Sequence, residues 1–494
     1  MTTAKDISTE QPALGNRRLL LGAIAALAVG ILAGIGAKQL AGASTGGELK
    51  GINNGDTIWV LTSAALVMLM IPAVGFFYGG MVRSKNVVSV IKQSLVILAL
   101  ISVQWVLFGY SLAFGKDIGI GPGLIGGLGW FGLKDVGYGP SVYASTIPHL
   151  AYMIFQAMFA IVTPVLIIGA FVERIRFRTL IVFILLWSTL VYDPIAHWVW
   201  NPEGWLNKLH ALDFAGGTVV HASSGFAALA AAIVVGKRIG FQKGEATEAN
   251  NVPLTILGAA LLWFGWFGFN AGSALAGTPV AVNAFVVTNT AAGAAALTWM
   301  ALSWLQNGRP SALATATGAV CGLVVITPAS GFVGPLSSIA IGVIGGLVTY
   351  LMLVLRNKLM NVDDTLDVWA AHGMGGVTGA LLTGIFAEKV INNPLNDPNN
   401  VIATNGLLFG NPGQFGIQII AVLATVTYSF VVTFILLKVL SFMGLRVKRH
   451  EEIVGLDIAA HGEEGYRILP REEWPEVGET EEEKEKAKAE GSVV

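Results

Sequence analysis

A single cysteine in 494 residues, Cys321, excludes an intramolecular disulfide and any cysteine-rich metal centre. It lies in an apolar run and reads as a small packing residue. Charge is scarce as well: 12% of the residues are Asp, Glu, Lys or Arg, about half the roughly 25% of an ordinary soluble domain. The net formal charge of −1 gives the chain as a whole no electrostatic claim on nucleic acid or an anionic surface. Neither a Walker-type phosphate loop nor an HExxH motif occurs, which argues against an ATP-driven pump and against a zinc hydrolase. What the chain has in abundance is apolar sequence: 54% hydrophobic residues and a mean hydropathy of +0.67. This is the composition of a polytopic membrane protein.

A hydrocarbon core of about 30 Å needs roughly 20 apolar residues per helix. Eleven such spans follow residue 50, at about 56–80, 92–115, 150–172, 179–199, 213–235, 253–273, 280–306, 311–332, 335–356, 366–388 and 413–442. The basic residues Arg83, Lys85, Lys92, Arg174, Arg176, Arg178, Lys237, Arg238, Lys243, Arg309, Arg356, Lys358, Arg446, Lys448 and Arg449 all fall on one side of these spans. The positive-inside rule makes that side cytoplasmic, which predicts a cytoplasmic C-terminus and a membrane domain over 51–446. Residues 1–50, with Arg17-Arg18 before an apolar run from Leu19 to Ala37, fit either a signal peptide or an additional helix. Residues 447–494 turn polar and acidic, as a solvated cytoplasmic tail does.

Five helices per half invert the second half relative to the first, so spans 1–5 and 6–10 form a 5+5 inverted repeat with one helix added. The two buried histidines obey that relation. His221 follows Asp213 by eight residues, roughly 12 Å along its helix, and His372 follows Asp367 by five, roughly 7.5 Å. Inverted repeats place a pathway at the repeat interface near mid-membrane, and ionisable groups at that depth are functional candidates. The competing reading of each histidine alone is a packing residue bonded to a neighbouring carbonyl or serine. Small residues flank both (Ala222-Ser223-Ser224-Gly225; Gly373-Met374-Gly375-Gly376), which allows close helix approach. A pair of neutral imidazoles offers donors and acceptors without fixed charge.

Phe155-Gln156-Ala157-Met158-Phe159 and Trp266-Phe267-Gly268-Phe269-Asn270 bring aromatics to matching depths of the two halves. They serve either as core or as a gate whose ring faces attract a cation by roughly 0.5–2 kcal/mol. Trp198, Trp200 and Trp205 read first as an interfacial belt. Asp213 reads as a helix cap or as a direct cation contact. Asp363, Asp364 and Asp367 read as an inner cap, with Asp367 the stronger structural anchor.

The segments Asp213-Phe-Ala-Gly-Gly-Thr-Val-Val-His221 with Gly236-Lys237-Arg238, Gly265-Trp-Phe-Gly-Phe-Asn-Ala-Gly-Ser-Ala274, Val172-Glu-Arg-Ile-Arg-Phe177, Phe76-Phe-Tyr-Gly-Gly80 and the run from Val362 to Gly373 together resemble the ammonium transporter (Amt/Mep/Rh) family. The resemblance covers about 55–466. It implies a homotrimer with one pore per protomer, an outer ammonium site formed by Trp200, Phe159 and Ser273, and paired rings Phe159 and Phe269 below it. It further implies His221 and His372 as twin histidines, Trp266 in the lumen, Asp213 as the essential outer aspartate and Asp367 as its inner counterpart. No cofactor and no catalytic residue is implied. A complete outer site favours the Amt branch, although one extra residue separates Trp200 from Asp213. The segment Gly455–Glu463 resembles a regulatory C-terminal region to which PII-type signal proteins dock. Electrogenic ammonium transport is the leading expectation, with a Rhesus-like ammonia channel and an ammonium sensor acting through the tail as alternatives; an enzyme is not expected.

Overall fold

The computed structural model describes residues 50–119, 121–241, 248–393 and 403–466, with scattered helical positions between 22 and 36. The choice between a leader and an extra helix for residues 1–50 lies outside the described residues, as does the acidic extremity beyond 466.

Eleven apolar helices run through the described chain: α1 Asn54–Met81, α2 Ser84–Phe114, α3 His149–Ala170, α4 Phe177–Lys208, α5 Gly217–Val235, α6 Val252–Ala274, α7 Pro279–Asn307, α8 Ala312–Ile326, α9 Pro335–Leu359, α10 Trp369–Met374 continued by Gly375–Phe386, and α11 Pro412–Met443. Nine of these are long and apolar enough to cross a membrane by themselves; α8 and α10 are the shorter two. The described residues hold isolated β-bridges and no strand.

The starts follow ordinary capping chemistry. Asn53 accepts from the amides of Gly55 and Asp56, Asn251 from Leu254, Thr278 from Ala281 and Ser311 from Ala314, and proline occupies the first turn of α6, α7, α9 and α11. Two boundaries differ from the hydropathy reading. α2 begins well before residue 92, because its first amides are capped from the far end of the chain. α8 stops at Ile326 rather than 332: Pro328 has no amide hydrogen to continue the helical ladder, and the chain goes on in tight turns, with Thr327 donating to Val324 and Ala329 to Ile326.

The two halves meet through small residues. At Gly258 on α6 a β-carbon would stand 2.3 Å from the Phe77 nitrogen of α1. At Gly225 on α5 it would stand 2.0 Å from the nitrogen of Gly373 on α10, and at Gly376 on α10 it would stand 2.5 Å from the Gly217 carbonyl oxygen. Backbone therefore touches backbone where α5 crosses α10, which brings the histidine-bearing turns together.

The basic loops gather on one face, as the sequence predicts. There Arg83 pairs with Glu173 at 2.6 Å and Arg238 with Asp363 at 2.9 Å, while Arg174 donates to the Asp363 and Ala170 carbonyls. Burial opposes the charge of Asp363, yet Arg174 and Arg238 hold its carboxyl below the ordinary range. The chain after α11 returns along this basic face. Val447 donates to the Arg174 carbonyl, Leu456 to Asn86 Oδ1, and the Asp457 carboxylate accepts from the amides of Val88 and Ser89 at 3.1 and 2.7 Å. Asp457 thus caps α2 in trans, which is why that helix starts early. The opposite face carries Trp200, the Asp117–Glu203 contact and the Leu212–Gln418 bonds.

Candidate functional site

α5 and α10 open in the same way. Asp213 Oδ1 accepts from the amides of Gly216 and Gly217, and Oδ2 from those of Thr218 and Val219 and from the Thr218 hydroxyl. Gly216 adopts φ +114° to let the chain fold over the carboxylate, a conformation that suits glycine. At α10 the cap is Asp364, which accepts from Val368 and Trp369 at 3.2 and 2.8 Å. The expectation that Asp367 anchors this helix is corrected here. Asp367 has φ +58° and turns its carboxylate to Arg356, away from the helix amides. Asp364 precedes His372 by eight residues, as Asp213 precedes His221. A helix N-terminus carries roughly half a positive charge, and each of these two carboxylates offsets it at the start of its own helix.

Each histidine sits in a π-helical turn, Gly217–Ala222 and Trp369–Met374. Such turns recur at functional sites because they push one residue out of the regular ladder. The imidazoles lie with Nδ1 of His221 3.3 Å from Nδ1 of His372 and ring centroids 5.3 Å apart. Both side chains are buried. A hydrogen bond between two Nδ1 atoms requires one ring to carry its proton there and the other not, so the Nε2 edges are of opposite kind, one acceptor and one donor. His221 Nε2 has no partner among the described residues.

Trp266 stacks on His221 at 5.4 Å and Phe269 at 5.9 Å. The Trp266 indole is fixed by donation to Thr327 Oγ1 at 2.9 Å. Phe269 meets Phe159 at 4.5 Å, and Phe159 meets Trp200 edge-on at 5.7 Å. The extra residue between Trp200 and Asp213 does not displace Trp200, whose indole donates to the Asp213 carbonyl at 2.9 Å. Ser273 donates to the Phe269 carbonyl at 2.8 Å, leaving its oxygen lone pairs available.

Three spaces line up along these residues. On the Trp200 face a vestibule of about 340 Å³ is bounded by Trp200, Phe159, Ser273, Asp213 and Gln156. Beyond the Phe159–Phe269 pair, a chamber of about 10 Å³ is lined by Phe269, Trp266, His221, His372 and Tyr78. It has room for about one water-sized molecule. His372 then also lines a vestibule of about 450 Å³ that opens among Asp363, Asp364, Asp367, Arg238 and Arg356 on the basic face. Trp200, Phe159, Ser273, Asp213, Phe269, Trp266, His221, His372 and Asp367, the site residues that the resemblance implies, all line these three spaces. Sequence reasoning left Gln156 unassigned, although it quoted the segment; the buried Gln156 Oε1 has no partner among the described residues. It also left Thr327 and Tyr78 without a role: they bond to Trp266 and to the Leu166 carbonyl, and although Tyr78 lies in the quoted Phe76–Gly80 segment, no local pattern marks Thr327. Trp198, read as part of an interfacial belt, is buried and donates to the Leu124 carbonyl at 2.8 Å.

The sequence profile of the Ammonium Transporter Family matches residues 58–466. The chain belongs to the ammonium transporter family. The transporter is 47% identical over 414 residues to the ammonium transporter of Bacillus subtilis, covering 84% of this chain and 98% of that one. Its fold superposes on the crystal structure of Mep2 from Saccharomyces cerevisiae with a TM-score of 0.77 at 37% identity, over 85% of this chain and 94% of that one. A solved structure titled sensor Amt protein matches with a TM-score of 0.74 at 32% identity, over 83% and 98%. The transporter therefore carries ammonium, across eleven membrane helices of a shared fold.

Proposed function

We propose that ammonium is recruited as the cation in the Trp200 vestibule and gives up its proton near the histidines, that ammonia and the released proton each cross along the histidine pair, and that they recombine on the basic face, so that one charge moves per ammonium. The carrying observation is the 3.3 Å histidine pair beside a chamber of about 10 Å³ between two wide vestibules. A hydrated cation does not fit that space, and a bare one pays tens of kcal/mol by a Born estimate, softened in real proteins. Ammonia, being neutral, avoids most of that cost.

The recruiting chemistry follows from the walls. The faces of Trp200 and Phe159 attract a cation, and Ser273 Oγ and Gln156 Oε1 accept N–H bonds. Asp213 has all its close positions taken by five donors, so its charge acts at a distance and through the helix it caps. Within the chamber the donor and acceptor Nε2 edges hand a molecule that both gives and takes hydrogen bonds from one ring to the next. Potassium has no proton to lose and gains nothing from this path.

In this reading the basic face is cytoplasmic, the protein resides in the plasma or inner membrane, and it assembles as a homotrimer with one conduit per protomer. The tail from 447 onward is the regulatory segment, with a PII-type protein as candidate partner. The decisive test is current in proteoliposomes. Ammonium-evoked current that His221→Ala or His372→Ala abolishes, or renders permeable to potassium, is the expected result. Undisturbed transport and selectivity in both variants overturns the histidine path, and ammonium flux without current favours an electroneutral ammonia channel. A second reading, an ammonium sensor signalling through its tail, draws on the strap of Asp457 and Leu456 across the start of α2. Absence of isotopic uptake would favour it.

A further inference from the structure

Outside the conduit, the centre of α4 holds a carboxyl group with no counter-ion. Asp193 is fully buried, near the middle of the Phe177–Lys208 span, and forms no ion pair among the described residues. It lines none of the three spaces described above. Its one hydrogen-bond partner is Gln104 of α2, whose Nε2 donates to Asp193 Oδ2 at 3.0 Å. The remaining atoms of the two groups, Asp193 Oδ1 and Gln104 Oε1, are both buried and both without a donor among the described residues. Two acceptors on two groups already joined by a bond are an electrostatic conflict as they stand, and a buried acceptor left bare is costly. One hydrogen between them removes both deficits.

The surroundings supply no other remedy. The hydroxyls of Ser188 and Tyr192 lie on the same stretch of α4, and neither forms a hydrogen bond to Oδ1 or Oε1. Both helices depart from regular geometry here, with π-helical turns at Trp105–Gly109 and Ser188–Tyr192 flanking the pair. The residue at 109 is glycine, and a β-carbon there would stand 2.4 Å from Gln104 Oε1. The fold thus leaves a place for this amide beside this carboxyl.

We propose that Asp193 is a proton-binding site, held as the carboxylic acid. Its Oδ1–H donates to Gln104 Oε1 while Gln104 Nε2 donates to Oδ2, closing a two-bond ring that ties α2 to α4. The bound proton lets a carboxyl occupy the membrane interior without charge, on the helix whose far end carries Trp200. The inference is independent of the ammonium path, since neither residue touches it.

Infrared spectroscopy of the full chain in lipid tests this directly. The difference between wild type and Asp193→Asn should contain the carbonyl stretch of a protonated carboxyl and lack the carboxylate stretches. In Gln104→Leu the same acid band should move to higher frequency as its hydrogen bond is lost. Asp193→Asn should retain ammonium uptake and thermal stability, because asparagine closes the same ring with Gln104, whereas Asp193→Val should lose stability. A carboxylate signature in the difference spectrum overturns the proposal. Should Asp193→Asn fail to fold, an acid band unmoved by Gln104→Leu overturns it equally.

Discussion

The starts of α5 and α10 use one device in two settings. On the Trp200 face Asp213 caps α5 with five donors and no cation in ion-pair contact; on the basic face Asp364 caps α10 with two amides and stands among arginines. The inverted repeat preserved the eight-residue spacing from carboxylate to histidine and changed what surrounds the carboxylate. A cation arriving from the Trp200 face meets negative charge and aromatic faces. On the basic face Arg238 and Arg356 line the vestibule together with the aspartates, so the charges there are mixed. The caps themselves are alike, so the difference between the two faces lies in the side chains around them.

The largest expected effect is at the more heavily used cap. Asp213→Ala leaves four buried amides and a hydroxyl without their acceptor, and should cost at least about 3 kcal/mol of stability along with uptake. Thermal unfolding in detergent, read beside isotope uptake, measures both. Asp364→Ala frees only two amides and should cost less than Asp213→Ala; an equal or larger loss would break the ranking.

Gly225→Val tests the shared crossing of the two halves. With backbone 2.0 Å from where its β-carbon would stand, the substitution should destabilise by about 1–3 kcal/mol and spread the histidine pair, seen as reduced flux in the fraction that folds.

Trp200→Leu sharpens the contrast between mouths. Loss of a ring face at the recruiting site should raise KM roughly two- to thirtyfold with kcat little changed, while substitution of Asp367 on the basic face should leave KM alone.

A pH dependence at the basic face completes the comparison. Burial pushes Asp364 up to about 6, with Arg356 opposing and Asp367 assisting. A carboxyl whose folded value is raised favours folding while protonated. Its contribution is complete below the ordinary value of 3.8 and is lost as pH rises to about 6. The stability of wild type relative to Asp364→Asn should therefore decline across that window, as unfolding measured at a series of pH values would show. Asp363 has the opposite sign, since its arginines make the charged form the stabilising one, and its share is lost as pH falls.

Much of this was legible in the chain itself. Hydropathy runs of about 20 residues have one solution in a bilayer, so the eleven helices follow from composition, and the side on which basic residues gather follows from counting. His221 and His372 stood out because an ionisable side chain in an apolar run is costly wherever it goes. Asp213 was readable as a cap because helix starts leave amides unpaired.

What the sequence could not decide was which of three neighbouring aspartates does the same for α10. Asp363, Asp364 and Asp367 are equivalent to local pattern, and only the backbone turn at Asp367, with Arg356 beside it, passes the capping role to Asp364. The start of α2 was likewise beyond local reading, since its cap comes from Asp457, 368 residues away from Ser89. Apolar runs and buried charges declare themselves locally, because each residue pays its own cost of leaving water. Distances between histidines, the size of the space beside them and the partner of each carboxylate depend on how separate helices cross, and tertiary packing alone sets those.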